Sequence, residues 1–411
     1  MVASVNLQFV SAQISTAKSL GALITSYCKT SEGPIDTKYI QLSAELLTIN
    51  DEEGIQESIF EDIFHERIEL AFLICFSFSK TSKSKINDKL LFSLFSSVSQ
   101  LLSSTSISFT SKLLVRDETT YYRPLLRIVL LCLKAIKDDS LLLVEYSATF
   151  VDLFDYVISI PIRIIFSSIH NEVISNPNQE FDSSSLIAKQ IDDISLILTI
   201  SKEFLRLKFP NDIGKMISNS LSNNGTLKVI INIYTCSHLI KYNNEKIFAE
   251  LSLLFIYEFV SIKAIAEELI ISGLFPALIE SPTSILIRKG GIVPIPSNLK
   301  LHNLWSNGLL SIVLTLIGKF GEKILPEVCL FVTSFQRQFL TTIHYWLESN
   351  TPISTASIQE TGQIILLAKT LHSMGGYDYM LRTNPSVETI TLIPGLSLIH
   401  ISEPTRLDVI S

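Results

Sequence analysis

No part of this chain is apolar for long enough to cross a bilayer. The longest apolar-rich runs, Ala71 to Phe76 and Leu309 to Ile317, fall well short of the roughly 20 residues that a membrane helix needs, so no transmembrane segment is expected. Met1 to Tyr27 has no basic region ahead of a short apolar core, so no signal peptide is expected either. Positive charge is also short: 33 Lys and Arg stand against 40 Asp and Glu, a formal net charge of -7. Such a chain has no overall basic field to draw nucleic acid phosphates. The densest basic group, Lys80, Lys83, Lys85 and Lys89, is interleaved with serines and reads as a solvated loop running into a helix start.

Reactive residues are few and scattered. The five cysteines, Cys28, Cys75, Cys132, Cys236 and Cys329, form no CxxC or Cys/His cluster. That excludes a sequence-legible zinc site or disulfide framework and suits a reducing compartment. The seven histidines stand singly, and His65 with Glu66 and Glu69 lacks the further ligands that a metal centre needs. Asp138-Asp139, Asp192-Asp193 and Glu267-Glu268 are adjacent pairs, which diverge around a helix rather than converge. Neither a nucleophile elbow nor a phosphate-binding loop occurs. No catalytic residue, metal ligand or cofactor site is therefore expected.

What the chain does hold is apolar surface at helical spacing. Hydrophobic residues make up 47% of it and charged residues 18%, so most of the chain needs covering. Spacings of three and four recur in Val5–Cys28, Ile55–Phe78, Ile86–Leu102, Tyr121–Ile136, Leu186–Leu207 and Ile247–Val260. Leu141–Ile169 reads as a long helical region broken at Pro161, and Ile324–Leu347 as one helix. The polar stretch Asn176–Ser185 suggests a boundary between a first helical stack over residues 1–175 and a second over 186–395.

Two similar patterns lie between Ala264 and Phe320. In each, an apolar helical surface meets a small polar residue and a glycine, Gly273 in one and Gly308 in the other, and a second apolar surface follows. A glycine accepts the positive φ that ends one helix and lets the next fold back, so Gly273 and Gly308 are read as repeat-turn glycines. Their separation is close to an armadillo or HEAT unit. The expected fold is all-α, an α-solenoid of armadillo/HEAT-like helical repeats.

Between the two patterns, residues 281–299 hold Pro282, Pro294, Pro296 and Gly290-Gly291, and read as an inserted loop. Ile285–Ile287 and Ile292-Val293 flank the glycines in a way that suits a small hairpin. A long loop between helices is a natural docking element, which makes Arg288 and Lys289 candidate protein-interaction residues. Trp305 and Trp346 are candidate anchors for a partner, with burial in the core as the competing reading.

The run Leu304-Trp305-Ser306-Asn307-Gly308-Leu309-Leu310 leads into Gly318-Lys319-Phe320-Gly321, then Ile324-Leu325-Pro326-Glu327-Val328 with Phe331 and Phe335. This passage resembles the carboxy-terminal domain of the very large scaffold nucleoporins of the inner ring, over residues 5 to 394. The resemblance implies a fragment of a longer α-solenoid and a structural role in the nuclear pore complex at the nuclear envelope. It also implies partners among other nucleoporins, especially the inner-ring linker nucleoporins, with no direct contact to nucleic acid and with any closeness to the pore membrane held through partners. A karyopherin-like soluble transport receptor is the alternative within the same fold, and an enzyme is a more distant one. Residues 396–411, beginning Leu396-Ser397-Leu398-Ile399-His400, read instead as a translated sequencing adapter and are expected to be non-native and poorly packed.

Overall fold

A computed structural model of the chain describes residues 12, 15–23, 38–47, 66–77, 88–103, 122–136, 140–175, 186–207, 209–240, 242, 245–347 and 353–383. Among these residues the structure is helical, with turns and short coil between helices and no β-strand. The expected boundary at 176–185 and the tail at 396–411 lie outside the described residues. By its contacts the chain divides into two compact units, residues 1–230 with 242–244, and residues 231–241 with 245–411.

The first unit contains α1 (Lys38–Leu46), α2 (Asp88–Ser103), α3 (Tyr122–Ala135), α4 (Ser140–Glu145) and a long α5, with further helical residues at 15–23 and 66–77. The pieces of α5 are Ser147–Phe154, a π-helical segment Asp155–Ser159, and Ile160–Ser175. Next come α6 (Leu186–Arg206), α7 (Asn211–Asn223) and α8 (Thr226–Cys236), the last of which runs across the division at residue 230. Helix α3 shows why these segments fold as they do. Leu125, Leu126, Ile128, Val129, Cys132 and Leu133 recur at helical spacing and are all buried, while Arg127 and Lys134 face outward. Pro124 is tolerated because the first turn has no intrahelical use for its missing N–H.

Aromatic rings fill the centre of this unit. Phe150 on α5 meets Phe92 and Phe95 of α2 at 5.5 and 5.7 Å, and Phe204 of α6 at 5.8 Å. Arg123 of α3 grips Asp193 of α6 with two N–H groups, at 2.5 and 3.3 Å. Pro161 does not break α5. Its ring would clash with a regular ladder, but the π segment just before it has already widened the ladder, with the Ile160 N–H reaching Asp155 O five residues back.

The second unit contains α9 (Ile247–Phe259), α10 (Lys263–Ile271), α11 (Leu274–Glu280) and α12 (Pro282–Arg288). A long α13 follows as Leu299–Asn303, a π segment Leu304–Leu310 and Ser311–Phe320; then come α14 (Leu325–Ser334), α15 (Gln336–Leu347), α16 (Thr355–Ser373) and α17 (Gly376–Thr383). The span read as one helix over 324–347 is two, because Phe335 leaves helical geometry at φ -99 and ψ 15.

The stretch read as a loop begins with a helix. Ser281 caps α12 by accepting the Ser284 N–H at 3.2 Å, and Pro282 takes the first helical position, where it costs no hydrogen bond. The chain then turns through Gly290 and Gly291, at φ +77 and +81, into a coil that forms no hairpin. Side chains hold the coil instead. Gln338 accepts the Ile292 N–H at 3.1 Å and donates to its carbonyl at 2.7 Å, while Thr341 accepts the Gly291 N–H at 2.8 Å.

Candidate functional site: a buried carboxylate hub

Helix α16 starts on a reciprocal cap. Ser354 accepts the Ser357 N–H at 3.1 Å, and the Ser357 hydroxyl accepts the Ser354 N–H at 3.0 Å. That start sets Ser357, Glu360, Ile364, Leu367 and Leu371 on the buried face. Glu360 is thus carried into the interior and is only 2% exposed.

An ionised carboxylate survives there only when its lone pairs are taken up by donors. Oε2 lies 2.9 Å from His302 Nε2. Oε1 accepts the Trp305 indole N–H at 2.7 Å and the Thr342 hydroxyl at 2.7 Å, with Gln338 Nε2 at 3.4 Å. Through Gln338 the network extends to Ile292. One side chain therefore ties α13, α15 and α16 to the coil that precedes α13. His302 uses Nε2 in this contact and leaves Nδ1 buried without a hydrogen-bond partner.

A second polar strip runs alongside. Ser306 donates to Gln363 Oε1 at 2.9 Å, Gln363 donates to Ser311 Oγ at 2.8 Å, and Gln359 donates to Asn307 Oδ1 at 2.8 Å. Ser311 also donates to Ser306 O, five residues back, which fits the widened π turn between them.

A carboxylate next to an imidazole is the raw material of acid–base chemistry, but His302 is 0% exposed and Glu360 2%. Both groups are closed off from solvent, and their hydrogen bonds run between helices. Among the described residues no three His, Cys, Asp or Glu side chains stand where they could hold a metal ion. No helix among them is long and apolar enough to cross a membrane.

The candidate residues separate clearly. Trp305 cannot anchor a partner, because it is 0% exposed and packs against Phe331, Phe335 and Phe339 at 6.0, 5.2 and 5.4 Å. Trp346 lies outside the hub, is 40% exposed and donates to Thr361 Oγ1 at 2.7 Å. Arg288 is half-buried and its Nε donates to Ser334 O at 3.3 Å, while Lys289 is exposed. Gly273 has φ +91 and separates α10 from α11. Gly308 is not a turn glycine. It sits inside α13, where a Cβ would come within 2.6 Å of Leu253 Cδ1 on α9, so its smallness serves helix packing rather than chain reversal.

Glu360, Gln338 and Thr342 were not singled out by sequence reasoning. The available signal was a lone glutamate in register with Ile364, Leu367 and Leu371 on an otherwise apolar helix face.

Comparison with known families agrees with this helical organisation. Residues 94–394 match the model of the family described as the nuclear pore protein NUP188 C-terminal domain. The chain belongs to that family. The nucleoporin NUP188 of Saccharomyces cerevisiae is 36% identical over 406 residues, covering 97% of this chain and 24% of the relative. The nucleoporin nup184 of Schizosaccharomyces pombe is 22% identical, covering 94% of this chain and 23% of the relative. The chain thus spans about a quarter of the length of these curated relatives.

A solved structure of Nup188 residues 1445–1827 from Myceliophthora thermophila superposes with a TM-score of 0.51 at 21% identity, over 68% of this chain and 77% of that one. The likeness supports an all-α fold of the helical-solenoid class. The NUP188 C-terminal domain match begins within α2, takes in the carboxylate hub, and continues past the end of α17.

Proposed function

We propose that the chain is structural material of the nuclear pore complex at the nuclear envelope, a scaffold segment of the inner ring that serves nucleocytoplasmic transport by holding other nucleoporins in place. Membership of the NUP188 C-terminal domain family carries this reading. The use of the polar groups supports it: Glu360, His302, Gln338 and the Ser306–Gln363 strip are occupied in fastening helices to one another. In this reading the chain performs no catalysis and needs no cofactor. Its partners are other nucleoporins, inner-ring linker nucleoporins among them, and it meets neither nucleic acid nor the bilayer directly. Exposed Trp346, Lys289 and the solvent-facing part of Arg288 are the candidate contact residues.

Affinity capture from budding-yeast nuclear extract with the whole chain as bait tests the proposal. Recovery of nucleoporins above a folded control supports it. Recovery of transport receptors, a small GTPase or cargo without pore components replaces it with the soluble-receptor reading.

A further inference from the structure

The second unit holds a surface from which acidic side chains are missing. The chain carries 40 Asp and Glu against 33 Lys and Arg, yet no acid falls between Glu280 and Glu322 or between Glu327 and Glu348. Helix α12 and the coil after it come from the first of these stretches, α15 comes from the second, and α12 packs on α15. Of the cations in them, Lys300 meets Glu245, and Lys319 donates to Ser261 O at 2.7 Å. Arg288, Lys289 and Arg337 form no salt bridge among the described residues.

The backbone brings these three together. Arg288 uses one of its five N–H donors on Ser334 O, just ahead of α15, at 3.3 Å. Gly290, at φ +77, lies so close to α15 that a Cβ there would stand 3.0 Å from both Cβ and the carbonyl oxygen of Arg337. Lys289 is its neighbour in the chain and is exposed, as Arg337 is. Like charges gathered without a carboxylate repel one another, and an anionic partner relieves that repulsion. Glu360, on the inner side of α15, is buried and taken up by the donors of the hub.

The patch is not purely ionic. Ile285 and Leu286, one turn before Lys289 on α12, are exposed, and Ile285 shares the side of the helix that Lys289 continues. Aliphatic surface among cations suits a peptide that mixes carboxylates with apolar side chains. A nucleic acid strand would instead use aromatic rings to stack on, and residues 282–298 contain none. We infer that α12 and the start of α15 form the docking face for an acidic peptide segment of a partner protein. Its carboxylates meet Arg288, Lys289 and Arg337, and its aliphatic side chains cover Ile285 and Leu286. That the partner is another nucleoporin rests on the scaffold reading.

A random-peptide display library panned against the whole chain tests this. The selected peptides should be rich in Asp and Glu, with Leu, Ile or Val among them. A synthetic peptide of the leading sequence should bind at least about tenfold more weakly to Lys289→Glu and to Arg337→Glu, each checked for helical content by circular dichroism. Its binding to the parent should weaken as salt rises from about 0.05 to about 0.5 M. Lys228→Glu, an exposed change on α8, should leave the affinity unchanged. No selected peptide, no enrichment in acids, or binding that survives both reversals would overturn the inference. Competition by a single-stranded oligonucleotide that depends on the same two residues would overturn it in favour of nucleic acid. This inference and the scaffold reading fail separately. A doubly reversed bait that captures nucleoporins from nuclear extract in undiminished yield sinks the inference and leaves the scaffold role standing. Charge-dependent binding of acidic peptides by a parent chain that captures no nucleoporin does the opposite.

Discussion

The indole N–H of Trp305 donates to Glu360 Oε1 at 2.7 Å, in a place where neither side chain reaches solvent. The bond joins the π segment of α13 to the buried face of α16, and three other side chains converge on the same carboxylate. Removing the acceptor strands several buried donors at once, whereas removing one donor strands far less.

Glu360→Ala should therefore cost about 3–5 kcal/mol, because it leaves the Trp305 indole N–H and the other donors to this carboxylate without an acceptor in the interior. Trp305→Phe keeps the stacking on Phe331 and should cost only about 1–2 kcal/mol. Urea unfolding followed by circular dichroism measures both. Equal losses would mean that the carboxylate does not act as a hub.

The glycines should divide by geometry. Gly273→Ala forces a side chain to φ +91 and should cost about 1 kcal/mol, and Gly308→Ala drives a methyl into Leu253 and should cost about 1–3 kcal/mol. Gly318 and Gly362 are helical with open space around them, so alanine there should stabilise by about 0.5–1 kcal/mol. The ordering of four unfolding midpoints checks this.

Burial pushes the Asp155 carboxyl up from its ordinary value, against the lowering effect of the Ser220 hydroxyl that donates to it, and nearby Asp152 adds to the rise. A carboxyl whose folded pKa is raised binds its proton more tightly in the native state. Its contribution is most favourable below the ordinary Asp range and is lost as pH rises through the folded value. Asp155→Asn lacks this dependence, so its stability relative to the parent should increase between pH 4 and pH 7. A flat difference across thermal melts in that range would contradict the assignment.

Burial also holds the thiols protonated: Cys75 is pushed up to about 12, Cys236 and Cys329 to about 11, and Cys132 well above its ordinary value. All four should resist iodoacetamide at pH 8 in the native protein and label once urea is added. Mass spectrometry of the labelled peptides reads this site by site.

Helices such as α3 were legible because a 3–4 spacing of Leu, Ile and Val carries its own periodic signal. The misread positions are ones whose meaning depends on a distant partner. Gly308 follows a small polar residue just as Gly273 does, yet Leu253 of α9 decides that one packs and the other turns. Pro282 reads as a breaker until Ser281 is seen to cap the helix that it starts. Pro161 passes through α5 because of a π segment that no local composition announces. Trp305 carries the same apolar signal whether buried or exposed, and only Glu360, 55 residues away, places it inside.

The most direct measurement exchanges the C-terminal quarter of the budding-yeast relative for this chain at its own locus, with a fluorescent tag, and follows the signal in live cells. A scaffold segment gives a punctate nuclear rim that recovers slowly after photobleaching. Loss from the rim, or recovery as fast as that of a soluble transport receptor, would contradict it.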